Sequence, residues 1–522
     1  MKKIPKTRMS ASSSRLLRRV TAVAASLTLV VGLAACAGST PDGDVTETAA
    51  LADSLTFGSI GGSTDSISPY PNKTSAMTLA MGAQLYEGLT RIAADGSVEM
   101  ALAESMEPNE TLDVWTVHLR SGVKKHDGTD FGADDVLWSL GYILDADNAY
   151  GGASEISFVD PDKITKIDDL TVEIGLTQPY GPFPAAMASK RLLMAGANWS
   201  EDAPVGTGPF VLDTFTAGQQ ATFTRFDDYW GDKPGFTDLT MITFQDQSAL
   251  SNALRGGQVQ VISTLPFAEV EAMKATAGIE VLESENATKA FLSFRVDIAP
   301  FDDERVREAM RLIADREQIV SNAYGGYATV ANDINGNNTS CPAPDVPQRE
   351  QDLTRAKELL DEAGVENLEI EIVTDNGFAG MLEFAQLYAQ QAAEVGVTVK
   401  VTQLDSAAFL AKWREWPALV SFASQPYITL AKRYYMEGGE NNASHWADPE
   451  YAELAAKLYA TADEDEQCTY IQQMQEIEYE RGVDIVAAFP KTLVPYSSKV
   501  HGLKADLYGR SSYTFTGVTV EK

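Results

Sequence analysis

The chain has 522 residues, with 74 Asp and Glu against 41 Lys and Arg and a formal net charge of −33. Such an acidic chain lacks the basic surface that nucleic-acid binding requires. Its length suggests about three domains, with ample material for a large core.

Lys2, Lys3, Lys6, Arg8, Arg15, Arg18 and Arg19 make a basic opening with no acidic residue, and residues 20–33 form an apolar run too short to span a bilayer comfortably. The run closes in Leu33-Ala34-Ala35-Cys36, followed by small and polar residues. This is a signal peptide whose end resembles a lipobox. Residues 1–35 are expected to be removed and Cys36 to carry diacylglyceryl on its sulfur. That is read in preference to an ordinary secretory signal with an incidental cysteine. More than one acyl chain gives stable anchoring where one gives marginal binding, so the protein is expected outside the cytoplasm, held to the cell membrane through Cys36. Arg18-Arg19 is a poor twin-arginine match. Residues 1–35 hold seven of the 41 basic residues, so the remaining 487 residues carry 34 basic and 74 acidic side chains, a net charge of −40. That suits an exported domain repelled by anionic surfaces. No second apolar segment is long enough for a membrane helix. Residues 36–52 are small, polar and acidic and read as a flexible tether. With Cys36 lipidated, Cys341 and Cys468 remain. Two cysteines in an exported chain favour a disulfide over two separate buried thiols, and the bridge requires a Cα separation that only a structure supplies.

In chain order, residues 55–60 alternate as a strand and run into a turn-rich stretch, 61–69. Residues 74–89 have helical spacing and end in Tyr86-Glu87-Gly88-Leu89. Trp115, Val117 and Leu119 share one strand face. The segment 122–136, GVKKHDGTDFGADDV, follows. Its His126 reads as a structural histidine in a turn, since no second His or Cys stands at ligand spacing. Asp134 and Asp135 read as first-turn helix carboxylates favoured by the dipole. Asp145, Asp147 and Asn148 suggest a calcium loop, but Tyr150 and Ile156 replace its Gly and Glu, so the segment reads as a turn. Val172, Ile174 and Leu176 alternate as another strand. The stretch 203–257 opens in a Gly206-Thr207-Gly208-Pro209 turn. Two strand-like segments, the pair Tyr229-Trp230, a Gly/Pro turn, a strand and a short helix follow. Asp302, Asp303 and Glu304 open a helix with Val306, Ala309, Met310 and Ile313 on one face. Residues 352–363 form an amphipathic helix stopped by Gly364. Strand, helix and strand over 368–401 predict a right-handed parallel crossover. Asp448-Pro449 caps a further helix, and Ile471, Met474 and Ile477 line another. The fold class is α/β.

Nucleophile-elbow, zinc-protease and phosphate-loop motifs are absent from the sequence, and the four His residues are scattered. An enzyme is not expected, nor a cofactor or a bound metal.

Four of these segments resemble the bacterial extracellular solute-binding proteins of family 5, the peptide- and nickel-binding receptors of ABC importers. They are YEGL at 86–89, the HDG segment at 122–136, GTGPF…YWG within 203–257, and PFDDERVREAMRLIADREQIV at 300–320. Lys125 stands where the family has Phe, and Asp65 and Pro69 lie further apart than its usual Asp-Pro. The resemblance implies a two-lobed periplasmic-binding-protein-like fold with a hinge, of the large three-domain type (cluster C, class II). Lobe I would comprise 53–292, with a core of 53–85 and 203–292 and an inserted subdomain of 86–202. Lobe II would be 293–490, and 491–522 would return to lobe I. The chain would cross near Phe291 and Phe489. A solute would bind between the lobes and favour closure, and the closed monomer would dock on a permease. The pair Tyr229-Trp230 reads as scaffold.

Peptide receptors of the family carry an Asp that pairs with the α-ammonium of the peptide. The corresponding stretch here, 418–428, has no Asp; Ser or Ala takes its place, which removes a charge-assisted bond. The expected ligand is therefore a peptide or peptide-like solute, with a nickel or other metal chelate, an opine-like compound or an oligosaccharide as alternatives. A structural or adhesive surface lipoprotein is the remaining class. The expected contacts are Phe422, Ser424, Gln425 and Tyr427, with Gly61, Gly62 and Ser63 from the first loop, which faces the cleft in the family. Trp416 and Arg433 come from an aromatic-rich neighbourhood in which rings stack on a ligand and an Arg forks a carboxylate. Trp413 and Trp416 are expected three apart on a short helix. Trp413 reads as core, and Trp416 reads equally as core or cleft.

Overall fold

The computed structural model describes residues 50–71, 75–285, 288–336, 341, 343–375, 377–509 and 513–522. The expected signal peptide, the lipid attachment at Cys36 and tether residues 36–49 lie outside the described residues. The last tether residues are not flexible. Leu51 bridges Glu521, and Ala52 N–H donates to the Val520 carbonyl at 2.7 Å, so the C-terminal strand pins them.

Three sheets carry the fold. The first has seven strands in the order Phe210–Thr216, Gln220–Arg225, Asp238–Phe244, Ser54–Ile60, Val261–Ile262, Thr492–Ser497 and Ile279–Ser284. Its alternating Leu55 and Phe57 are buried together with Met77, Met81 and Leu85 of the helix Ala76–Leu85. Ser75 caps that helix by accepting from Thr78 N–H, a contribution of about 1 kcal/mol. The second sheet has six strands in the order Ala328–Val330, Ile485–Pro490, Lys289–Phe294, Ala418–Ala423, Glu369–Asp375 and Thr398–Leu404. Its parallel pair Glu369–Asp375 and Thr398–Leu404 is joined through the helix Met381–Ala393, the expected crossover. The third sheet is antiparallel, with four strands in the order Ala103–Pro108, Val114–Leu119, Thr171–Leu176 and Val159–Asp168.

Two segments join the first sheet to the second. Ile279–Ser284 continues into Lys289–Phe294, and Ile485–Pro490 continues through Lys491 into Thr492–Ser497. The two are antiparallel partners in both sheets. Lys491 Nζ lies 3.5 Å from Glu283 and 3.1 Å from Glu285, across the gap between them. The expected boundary at 292/293 therefore falls inside a strand. Lys289–Phe294 belongs wholly to the second sheet, and its Ala290, Leu292 and Phe294 lie in that lobe's core. The expected short helix bearing Trp413 and Trp416 ends at Ala411, so both indoles stand in the turn beyond it. Cys341 and Cys468 form a disulfide with Cα atoms 5.1 Å apart, within the range such a bridge requires.

A polar network closes the second lobe where the first crossing enters it. Lys289 is fully buried; its Nζ lies 2.9 Å from Asp484 and 2.6 Å from Asn335 Oδ1, and it also bonds the Tyr435 hydroxyl. Glu478, beside it, accepts from Asn335 N–H and from the Tyr427 and Tyr451 hydroxyls. Burial pushes the Glu478 carboxyl up to about 7. Burial likewise lowers the Lys289 pKa, while Asp484 and Glu478 oppose that shift. Removing one partner of a buried pair leaves an uncompensated charge, so Lys289→Met should cost roughly 3–5 kcal/mol in urea unfolding. Glu478 binds its proton more tightly folded than unfolded. Its contribution is full below 4.5 and is lost as pH rises through about 7. The stability of the wild type relative to Glu478→Gln should therefore fall between those two pH values. A difference that stays flat or rises with pH contradicts this assignment.

Candidate functional site

The turn at 206–209, the loop at 226–231 and His126 converge at the end of one helix. Gly208 N–H donates to the Leu85 carbonyl at 3.0 Å, and a Cβ on Gly208 would stand 2.3 Å from the Gln84 carbonyl oxygen, so only glycine allows this approach. Thr207, Tyr229 and Trp230 donate to the Glu87 carboxylate at 2.9, 2.9 and 2.8 Å. His126 locks the turn from the other side. Its Nδ1 accepts from Gly206 N–H at 3.4 Å, which leaves Nε2–H to donate to the Gly208 carbonyl at 3.0 Å. Burial holds its pKa below the ordinary value, so it is neutral and structural. Lys125 forms a buried ion pair of 2.7 Å with Asp135, and Asp135 also accepts from Gly132 and Ala197 N–H. The site is built on this rigid base.

Gly61, Gly62 and Ser63 form the loop that leaves the central strand. Asp65 shapes it by accepting from Gly62 N–H, the Ser75 hydroxyl and the Thr243 hydroxyl at 3.0, 2.6 and 3.0 Å. Space is open around Gly62, and Ser63 is exposed. In the second lobe, Phe422 is half-buried and stacks on Phe378 at 4.8 Å. Ser424 and Gln425 are half-buried, and Gln425 Oε1 is buried with no hydrogen-bond partner among the described residues. Tyr427 is only 2 % exposed, and its hydroxyl is bonded inward to Glu478 and Tyr451. It is therefore a core residue, not a ligand contact. The Trp416 indole donates to the Phe409 carbonyl at 2.9 Å and packs against the lobe II core. The adjacent strand brings the nearly buried Asp375, but residues 418–427 contain no acidic side chain.

Arg433 stands elsewhere in the second lobe, on the helix Tyr427–Tyr434, and reaches the inserted subdomain. Its guanidinium lies 3.5 Å from Glu155 and pairs with Glu440. Arg191 approaches the same Glu155 at 3.8 Å. Lys432 stands over the Phe158 ring at 4.6 Å and the Tyr180 ring at 5.8 Å. Tyr180 stacks on Tyr459 with centroids 5.3 Å apart, and Gly181 N–H donates to the Tyr459 carbonyl at 2.7 Å. A cavity of about 180 Å³ lies among first-lobe residues and is lined in part by Thr78, Gln84, Glu87, Arg91, Lys190 and Thr514. None of the expected ligand residues lines it. Glu155, Lys190, Arg191 and Lys432 carry no signal in the sequence beyond their charge. Among the described residues no group of three or more His, Cys, Asp or Glu is placed to hold a metal.

A sequence model described as bacterial extracellular solute-binding proteins, family 5, middle region, matches residues 97–444. The dipeptide-binding protein of Escherichia coli (strain K12) is 27 % identical over 461 residues, covering 80 % of this chain and 86 % of that protein. The periplasmic binding protein DppA of Helicobacter pylori, solved with the peptide STSA, superposes with a TM-score of 0.77 at 22 % identity, over 90 % of this chain and 98 % of that one. NikZ of Campylobacter jejuni, solved with Ni(L-His), gives 0.76 at 22 % identity, over 89 % and 98 %. These likenesses establish the two-lobed α/β fold.

The contact between the inserted subdomain and the second lobe is tight at Gly181, where a Cβ would lie 1.8 Å from the Thr461 carbonyl oxygen. Gly181→Ala should separate the two surfaces without touching either core. Small-angle scattering should show a larger radius of gyration for the variant at an unchanged urea midpoint. An unchanged radius would mean that this contact does not hold the lobes together.

Proposed function

This chain belongs to the bacterial extracellular solute-binding proteins of family 5, and we propose that it is the lipid-anchored receptor of an ABC importer, capturing a peptide or peptide-like solute between its two lobes and delivering it to a membrane permease. Members of the family are transport binding proteins, not enzymes. The observation that carries the proposal is the arrangement of the lobes. They are joined by two adjacent strand crossings, and they meet again at Glu155 and Arg433, far along the chain from either. Such a molecule hinges at one side and closes at the other, and a solute touching both lobes favours the closed form. The dipeptide-binding relative and the peptide-bound neighbour support a peptide-like ligand. The partnerless Gln425 Oε1 suits a ligand N–H donor. Contacts from Gly62, Ser63, Phe422, Ser424 and Gln425 remain the proposed binding set.

A thermal-shift series tests the role. A bound solute stabilises the fold by RT ln(1 + [L]/Kd), about 2.7 kcal/mol at a hundredfold excess over Kd, which in a protein of this size raises the melting temperature by several degrees. A structural or adhesive protein shows no such shift with any peptide, chelate or oligosaccharide. For a solute that does bind, Ser424→Ala with Gln425→Ala should weaken affinity roughly tenfold, about 1.4 kcal/mol. An unchanged affinity removes those two residues from the site. Cys36→Ala should move the protein from the membrane fraction to the medium. Equal partition of the variant and wild type would contradict lipid anchoring.

A further inference from the structure

The inserted subdomain and the second lobe meet through stacked rings and paired charges. Phe158 and Tyr180 of the insertion stack with centroids 4.0 Å apart, and Tyr459 of the second lobe stacks on Tyr180 at 5.3 Å. Tyr459 ends the helix Pro449–Tyr459 and packs against both the core of the insertion and the core of its own lobe. Lys432 adds a cation–π contact, 4.6 Å over the Phe158 ring. Beside the rings, the Arg433 and Glu155 side chains are 11 % and 7 % exposed and pair across the boundary at 3.5 Å. Arg191 and Glu440 pair with Glu155 and Arg433 from within their own lobes, so they do not bias closure.

Parting these surfaces returns the buried rings of Phe158 and Tyr180 to water and breaks the stacking on Tyr459. Rehydration offsets the loss of the ion pair, which therefore sets register more than energy. With Arg433 removed, Glu155 would lose its cross-lobe partner while still desolvated, and opening would relieve it. None of these terms involves a solute. One helix couples the contact to the proposed binding set. Ser424 and Gln425 stand just before the helix Tyr427–Tyr434, and Lys432 and Arg433 lie in its last turn. Its eight residues span about 12 Å. Tyr427, Leu430 and Ala431 anchor it in the lobe core, so both ends move together.

We propose that this contact is a latch: it holds the lobes together in the absence of solute, and Tyr459, Lys432 and Arg433 tighten solute binding without touching the solute. The inference rests on the receptor function proposed above. A receptor that is closed for only part of the time binds with its intrinsic Kd divided by the closed fraction. A latch that raises this fraction tightens binding by the same factor. Arg433, expected from the sequence to contact the ligand, is thus a positioning residue.

The protein is unfolded in urea, dialysed free of solute, refolded and compared with its variants by small-angle scattering. Tyr459→Ala and Arg433→Met should have a larger radius of gyration than the wild type. Tyr459→Phe keeps the ring and should match the wild type. A cooperative urea transition shows that each variant is folded. Native mass spectrometry against a dilution series of yeast extract then reads the affinity. Half-saturation of Arg433→Met should need roughly five- to tenfold more extract. If all four proteins share one radius, or if half-saturation is equal in all of them, the latch is wrong, and uptake from the extract leaves the receptor function standing. If the radii differ as expected while no protein takes up anything, closure by the latch stands and the receptor function falls.

Discussion

Glu87 accepts hydrogen bonds from Thr207, Tyr229 and Trp230, and in doing so ties the end of the first helix to the turn at 206–209 and the loop at 226–231. Burial raises its pKa, and three donors oppose that rise. The same helix end accepts from Gly208, and His126 clamps the turn from the inserted subdomain. One carboxylate thus fixes where the inserted subdomain leaves the core and returns to it. The positions of Tyr150, Glu155, Lys190 and Arg191 follow from that junction, because all four are carried on the insertion. A polar network this fully satisfied specifies a single arrangement, whereas one left half-paired would be costly.

The second constraint is the pair of crossing strands. The strand pairs are antiparallel in both sheets, so the two crossings lie side by side, with Lys491 3.5 Å from Glu283 and 3.1 Å from Glu285. A single bending line converts small torsional changes into rigid movement of a whole lobe. The helix Tyr427–Tyr434 meets the inserted subdomain through Arg433 and Glu155, 3.5 Å apart.

Much of the fold was legible in the sequence because periodicity and caps are local. The crossover over 368–401, the Asp448 cap and the structural role of His126 all follow from neighbouring residues. The turn glycines of 206–208 were recognisable as a pattern, but their reason, contact with Gln84 and Leu85, is long-range. The site was far less legible. Tyr427 looks like a cleft aromatic until Glu478, fifty-one residues away, is seen to accept from its hydroxyl. Trp416 sits beyond the end of its expected helix. Lys190 and Glu155 are ordinary surface-type residues in sequence, and only the packing of the insertion against the second lobe gives them a shared environment. The boundary at 292/293 missed because a strand entering a new sheet keeps its apolar alternation through the hinge.

The central claim is that the two lobes enclose a removable solute. Its most direct test is the native mass of the protein purified without denaturation from rich medium, compared with its mass after unfolding and refolding in clean buffer. The account predicts an excess of a few hundred daltons that disappears on refolding and returns on incubation with the medium extract. Identical bare masses in all three states would contradict it.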